Sequence, residues 1–477
     1  MVQGLVRAMN PSASNRVSAH ASVEEEQAER EALAAEFIDT IRPQLPALLQ
    51  SLAKIEDYRN PKKIEHQLTM VLLYGILCFV LQTSSRREAN RELSGPVLLA
   101  HLRKLFPELE KLPHQDTLNR ILSRIDVEGI QQALLEMIRR LIRNKKFNRW
   151  LVAGCYPIAI DGTQKAARRE LLSPEWLQRR INAGTDNETT QYYVYVLEAQ
   201  LAFANGLTLP LMSEFLNYAE GDTSADKQDC ETRAFHRLAR RLKEAFPRLP
   251  IILLLDGLYP NGPVLQTCRE NRWQFMIVLK DDSLPSVWEE YEGLRKLEPG
   301  QQARRTWGNR RQHFRWVNFI EYYWGPNRKK KQVVHVVVCE ERWEEIDAEG
   351  DIVEKRSRHA WLSSEPLAKE TLHERCNLGA RHRWGIEEAI LVEKHHGYHY
   401  EHLFSYNWKA MKGYHYLMHL GHALNALAQY SEHLYEIVVS LGVRAFLKCV
   451  RESLRHPWLD PERLYERLRP DPQLRLA

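Results

Sequence analysis

Residues 251–255 read Ile-Ile-Leu-Leu-Leu and stop at Asp256-Gly257. So short a run of aliphatics, closed by a turn dipeptide, reads as a strand buried on both faces. Tyr156–Ile160 is a second short apolar run, and it ends at Asp161-Gly162. Strands covered on both sides need helices over a sheet, so the chain reads as α/β. An aspartate at the C-terminal tip of such a strand stands at the sheet rim, where α/β sites gather. Either Asp-Gly alone is equally a turn signal.

Between and after these strands the pattern is regular. Gln191–Phe203 and Leu207–Tyr218 are rich in Tyr, Val, Leu and Phe, with Ala204-Asn205-Gly206 as the hairpin turn. A helix over roughly 227–245, one over 261–271 and a strand over 273–279 complete the order strand, strand, strand, helix, strand, helix, strand. Before residue 150 the apolar spacing is helical, as in Leu118, Ile121, Leu122 and Ile125, and again in Ile130, Leu134, Leu135, Ile138 and Leu141. The expected organisation is a disordered, polar 1–30; a helical region over 31–150; the first part of the core over 151–284; a β-rich insertion over 285–368; a core helix over 369–405; and a helical C-terminal region over 406–477.

Bulk properties exclude several classes. The seven cysteines are scattered without a CxxC pair, which argues against a disulfide framework or a zinc ribbon and suits a reducing cytoplasm. Leu68–Gln82 is the most apolar stretch, shorter than the roughly 20 residues a bilayer crossing needs, and reads as a core helix. The N-terminus lacks an apolar signal core. A net charge of +5 says little about nucleic acid until the basic residues are mapped.

The most informative segment is RHRWGIEEAILVEK, residues 381–394. On one helix Arg383, Glu387 and Lys394 fall at i, i+4 and i+11, a single face. A carboxylate flanked by two cations suits a place where metal and phosphate meet. Glu388 points about 100° away from Glu387 and off that face. Two strand-end aspartates followed by a helical glutamate, in this element order, resemble the ribonuclease-H-like nucleotidyl transferases. The sequence is similar to the insertion-sequence DDE transposases with a Y-x2-R-x3-E-x6-K signature. Arg383, Glu387 and Lys394 keep that spacing, whereas the tyrosine position holds Ala380; Tyr398 and Tyr400 are the substitutes at hand.

The resemblance implies a ribonuclease-H-like mixed sheet interrupted by a β-rich insertion, with Asp161, Asp256 and Glu387 as catalytic metal ligands. Hard carboxylate oxygens suit Mg²⁺ or Mn²⁺, two ions per active site, serving an in-line displacement. It further implies double-stranded DNA as partner, both terminal inverted repeats and target, and a homodimer on DNA, with no small-molecule cofactor and no membrane. Action on the nucleoid in the cytoplasm follows. Trp361, in HAWLSSEP, corresponds to a ring that in relatives stacks on a flipped base. The rival functions are a nuclease that cuts without joining and a DNA-binding derivative without catalysis.

Basic residues gather at 139–149, 168–169, 179–180, 304–315 and 328–331, several beside aromatics, as phosphate contact with base stacking would want. Arg120, Arg124, Arg139 and Arg140 are candidates for meeting the duplex, as are Lys329 and Lys330. His395, His396, His399 and His402 lack the spacing of a structural zinc site and read as surface or DNA-facing histidines.

Overall fold

The computed structural model describes residues 20–477 except 108, 110, 218–229, 348–349, 457–459 and 469–472. The N-terminal part is helical: α1 (Val23–Ile41), α2 (Leu45–Leu52), α3 (Leu68–Val80), α4 (Arg86–Leu93), α5 (Pro96–Leu105), α6 (Gln115–Leu122) and α7 (Glu128–Arg143). The central part runs β1 (Tyr156–Arg168), β2 (Leu177–Ile181), β3 (Thr189–Ala202), β4 (Thr208–Phe215), α8 (Glu231–Ala245), β5 (Ile251–Leu255), α9 (Gly262–Asn271), β6 (Gln274–Val278), α10 (Pro285–Leu297), β7 (Gln302–Trp307), β8 (Arg310–Trp324), β9 (Lys330–Ile346) and β10 (Ile352–Ser363). The chain ends in α11 (Trp384–His395), α12 (Trp408–Gln429), α13 (Tyr435–Leu441), α14 (Val443–Arg455) and α15 (Pro461–Glu466).

Several expectations need correction. Residues 23–30 are helical, not disordered, because Ser22 caps α1 by accepting from the Glu25 N–H at 3.2 Å. Glu24, Glu25 and Glu26 then lie in the first turn, where the helix dipole favours acids. Residues 1–19, Tyr218 and Lys227 lie outside the described residues. β1 does not stop at Asp161 but continues to Arg168, since beyond the apolar run its antiparallel ladder with β3 carries on (Asp161↔Glu198 to Arg168↔Tyr192). The 285–368 segment opens with a helix, α10.

Among the described residues, ten strands form one sheet in the order β2-β3-β1-β5-β6-β10-β9-β8-β7, with β4 also on β3. β1, β5 and β6 are parallel neighbours. β10 pairs antiparallel with β6 (Trp361↔Val278), so the β-rich segment extends the core sheet rather than forming a separate one. That pairing covers what would otherwise be the open edge of β6. The terminal helices also merge: α12 packs on α3, α6 and α7, and α1 packs on α12, α14 and α15. The apolar α3 is buried in that helical body. No helix among the described residues is long and apolar enough to cross a membrane.

A buried polar network ties α11 to the sheet and to α12. Glu198 Oε1 accepts from Tyr400 Oη at 2.8 Å and lies 3.2 Å from His415 Nε2. Glu393 Oε1 accepts from His422 Nδ1 at 2.7 Å and lies 3.5 Å from His419 Nε2. Lys165, also buried, donates to the Tyr400 carbonyl at 2.8 Å. Burial alone would raise the Glu393 carboxyl, but His419 and His422 outweigh it and hold it well below the usual range. Burial lowers His419, yet Glu393 and Glu198 more than reverse this and raise it. Donor atoms of Glu198, His415 and His419 come within 4.8 Å of one another. Lys165, His415, His419 and His422 surround the two acids, so the group reads as a buried polar clamp. Glu393→Gln, which uncouples one acid from its buried histidines, is expected to cost about 3–5 kcal/mol of stability. A denaturant midpoint corresponding to a loss below about 1 kcal/mol would contradict the clamp.

Candidate active site

The strand register sets the site. β1 and β5 pair in parallel from Tyr156↔Ile251 to Ala159↔Leu254. One pleat further, Asp161 and Asp256 stand at equivalent positions on adjacent strands, whose axes run about 4.8 Å apart. By the period of two they share the sheet face of Ala159 and Leu254, the side that α11 covers. Asp256 directly follows β5, and its Oδ1 accepts from the Leu258 N–H at 2.9 Å, closing the turn. Asp161 Oδ1 accepts from Gly162 N–H at 3.0 Å.

α11 packs on β1, β3 and β4 and brings Glu387 to this rim. Burial raises the Asp161 carboxyl to about 6, with Glu387 adding to the rise, Arg383 and the Gly162 N–H opposing it, and Asp256 adding again. Glu387 and Asp256 are therefore both close enough to act on the charge of Asp161. Glu387 Oε1 is 2.7 Å from Arg383 Nη2, and the Arg383 guanidinium is buried with its Nε and Nη1 unpartnered. Glu388 is exposed and lines the neighbouring cleft instead.

The helix does not run unbroken over 381–394: a 3-10 turn spans Ala380–Arg383 and α11 begins at Trp384. The i,i+4 pair of Arg383 and Glu387 survives this change, but Lys394 does not join it. Seven residues beyond Glu387 it lies about 10 Å along the helix, and its ammonium meets Glu401 at 3.2 Å. Ala380 is buried at the cleft wall. Neither Tyr398 nor Tyr400 replaces the missing tyrosine. Both are fully buried, Tyr398 Oη accepting from Asn425 at 2.9 Å and Tyr400 Oη held by Glu198. The tyrosine that lines the cleft is Tyr430, just after α12.

That cleft has a volume of about 910 Å³ and is walled by Asp256, Lys280, Trp361, Arg381 and Arg383 among others. Trp361 stands near the end of β10 and is 3 % exposed. Its ring stacks on His359 at 5.5 Å, and the Arg381 guanidinium sits 5.7 Å from its centre. A base can reach it only if one of these neighbours moves. Lys280 lies against Gly257, beside Asp256. No sequence motif marks Lys280, which stands two residues past the end of β6. Tyr430 carried no sequence signal.

The other predicted contacts divide. Arg120 and Arg124 are exposed on and after α6, Arg124 over the Tyr58 ring at 5.4 Å. Arg139 is occupied: its Nε donates to the Ala245 carbonyl at 2.9 Å, tying α7 to the end of α8. Arg140 is half-buried. Lys329 and Lys330 are exposed at the β8–β9 turn, Lys330 over Trp324 at 4.5 Å. His395 and His402 are exposed, whereas His101, His335, His415, His419 and His422 are buried. A second cleft, of about 750 Å³, has Arg86, Arg87 and Arg168 among its walls, with Gln115 and Asn119 of α6.

Residues 157–423, more than half of the chain, match the family profile described as Transposase DDE domain. Residues 49–138 match the profile described as DDE_Tnp_1-associated. No curated protein matches the chain significantly. The register-locked aspartates and the helical glutamate lie inside the first of these matches, and the chain belongs to the DDE transposase family, a family of nucleases and strand-transferring enzymes.

Proposed function

We propose that this transposase cuts DNA at the ends of its element and joins them to a target, with Asp161, Asp256 and Glu387 holding two divalent ions, Mg²⁺ or Mn²⁺. The observation that supports this reading is the strand register that sets Asp161 beside Asp256 on the face covered by the helix of Glu387, in keeping with an Asp161 carboxyl raised to about 6 first by burial and then by Glu387. Acids crowded in this way, with Arg383 as the contacting cation, suit hard divalent metal. Once bound, such ions would activate the attacking oxygen and steady the leaving one.

The chain's own residues do the rest. Arg383 fixes Glu387 through one nitrogen, and its buried guanidinium adds positive charge at the cleft wall that favours a phosphate there. Lys280, at the cleft wall beside Asp256, adds positive charge for the same backbone. Trp361 meets a displaced base after Arg381 swings away. Arg120, Arg124, Arg140, Lys329 and Lys330 touch duplex farther out, while Lys394 and Arg139 serve structure. The helical body formed by 31–150 and 406–477 carries the duplex, and two copies pair two ends.

Incubating the protein with DNA bearing its element's ends, a target plasmid and Mg²⁺ should give joined product. Cut ends without joining would instead establish the nuclease reading. Asp256→Asn is expected to slow cleavage at least about a hundred-fold, since a group supplying several kcal/mol of charge stabilisation is lost. DNA affinity by gel shift should stay within about threefold, because phosphate contacts carry it. Cleavage that persists in this variant would refute the assignment.

Acidity should weaken metal binding. A carboxyl raised to about 6 is protonated below that pH and ionised above it, and only the ionised form binds metal. Mn²⁺ affinity is therefore expected to fall about tenfold for each pH unit below 6 and to level off above 7. A flat profile from pH 5 to 7 by calorimetry would count against Asp161 as a ligand.

A further inference from the structure

Glu231 opens α8, on the sheet face opposite α11. An acid in the first turn of a helix ordinarily stands in water, favoured by the helix dipole. Glu231 does not. Its Oε1 accepts from Tyr259 Oη at 2.7 Å and its Oε2 from Tyr195 Oη at 3.2 Å. The carboxylate is wedged against the backbone beside Asp161: a Cβ added at Gly162 would come within 2.8 Å of Glu231 Oε2 and 2.6 Å of the Tyr195 hydroxyl. The glycine after Asp161 is thus required by this approach.

β5 ends at Leu255, so the rim is where an acid from the α8 side can share space with acids from the α11 side. Burial lifts the Glu231 carboxyl, the hydroxyls of Tyr259 and Tyr195 pull it down, and Asp256 adds to the lift, leaving it raised. Both tyrosines in turn feel Asp161 and Asp256. Among the described residues Glu231 forms no ion pair with a lysine or arginine. Hydroxyls orient a carboxylate without cancelling its charge, so among the described residues the Glu231 carboxylate is held without a balancing cation.

We propose that Glu231 is a fourth acid of the site, a ligand for a divalent ion approaching from the α8 side of the sheet. This rests on the metal-holding reading of Asp161, Asp256 and Glu387. The tyrosine pair serves as its holder, keeping the carboxylate aimed at the rim.

Mn²⁺ binding to the full chain, followed by paramagnetic resonance of the free ion, tests the proposal with Asp161→Asn, Asp256→Asn, Glu231→Gln and Tyr195→Phe, each checked for an unchanged thermal transition. Glu231→Gln should weaken binding of one ion about tenfold or more. Tyr195→Phe should leave affinity within about threefold, because the carboxylate keeps its charge and its Tyr259 bond; an equal loss in both variants would make Glu231 merely a packing residue and overturn the proposal. Weakening by the aspartate variants but not by Glu231→Gln would overturn it while leaving the three-acid reading intact. No weakening in any of the four would overturn both.

Discussion

The in-register parallel pairing of β1 with β5 is the constraint on which the rest of the molecule depends. Because Ala159 faces Leu254 across that pair, Asp161 and Asp256 must fall side by side at the next pleat, on one face and at one rim. A slip of one residue would send one of the two aspartates to the opposite face. The aliphatic run Ile251–Leu255, fully buried, is what makes such a slip expensive, since it is packed from both sides.

A second layer of order holds the glutamate to that rim. Glu387 lies on a helix whose far end is fastened by Glu393 to His419 and His422 of α12, while Glu198, directly opposite Asp161 on β3, reaches into the same network. Polar groups this deep favour one arrangement over others because each alternative strands a charge. Helix α12 is itself packed among α3, α6 and α7, so the N-terminal helices help fix where Glu387 stands. Duplex held by those helices would then be held in a fixed relation to the chemistry.

Much of this was legible in the residues. The end of β5 at Asp256-Gly257, the hairpin at 204–206 and the apolar α3 follow from period and turn chemistry, and the family's spacing picked out Arg383 and Glu387, which the fold keeps as an ion pair. What escaped has physical reasons. The acidic run at 24–26 looks disordered unless Ser22 is recognised as a cap. The extension of β1 past Gly162 carries no apolar pattern because its ladder with β3 is what sustains it. Lys394 shares the face of Glu387 by angle and sits about 10 Å further along the axis, where its ammonium meets Glu401. Tyr398 and Tyr400 are spent on the buried network, and Glu231, Lys280 and Tyr430 reach the rim only through tertiary folding.

Crystals grown with Mn²⁺ and element-end DNA, examined by anomalous scattering at the manganese edge, test the central claim most directly. The account predicts two peaks within ligating distance of the Asp161, Asp256 and Glu387 carboxylates, at the rim where β1 and β5 end their pairing. Peaks located elsewhere, or a Glu387 carboxylate that remains on Arg383 and touches neither ion, would contradict it.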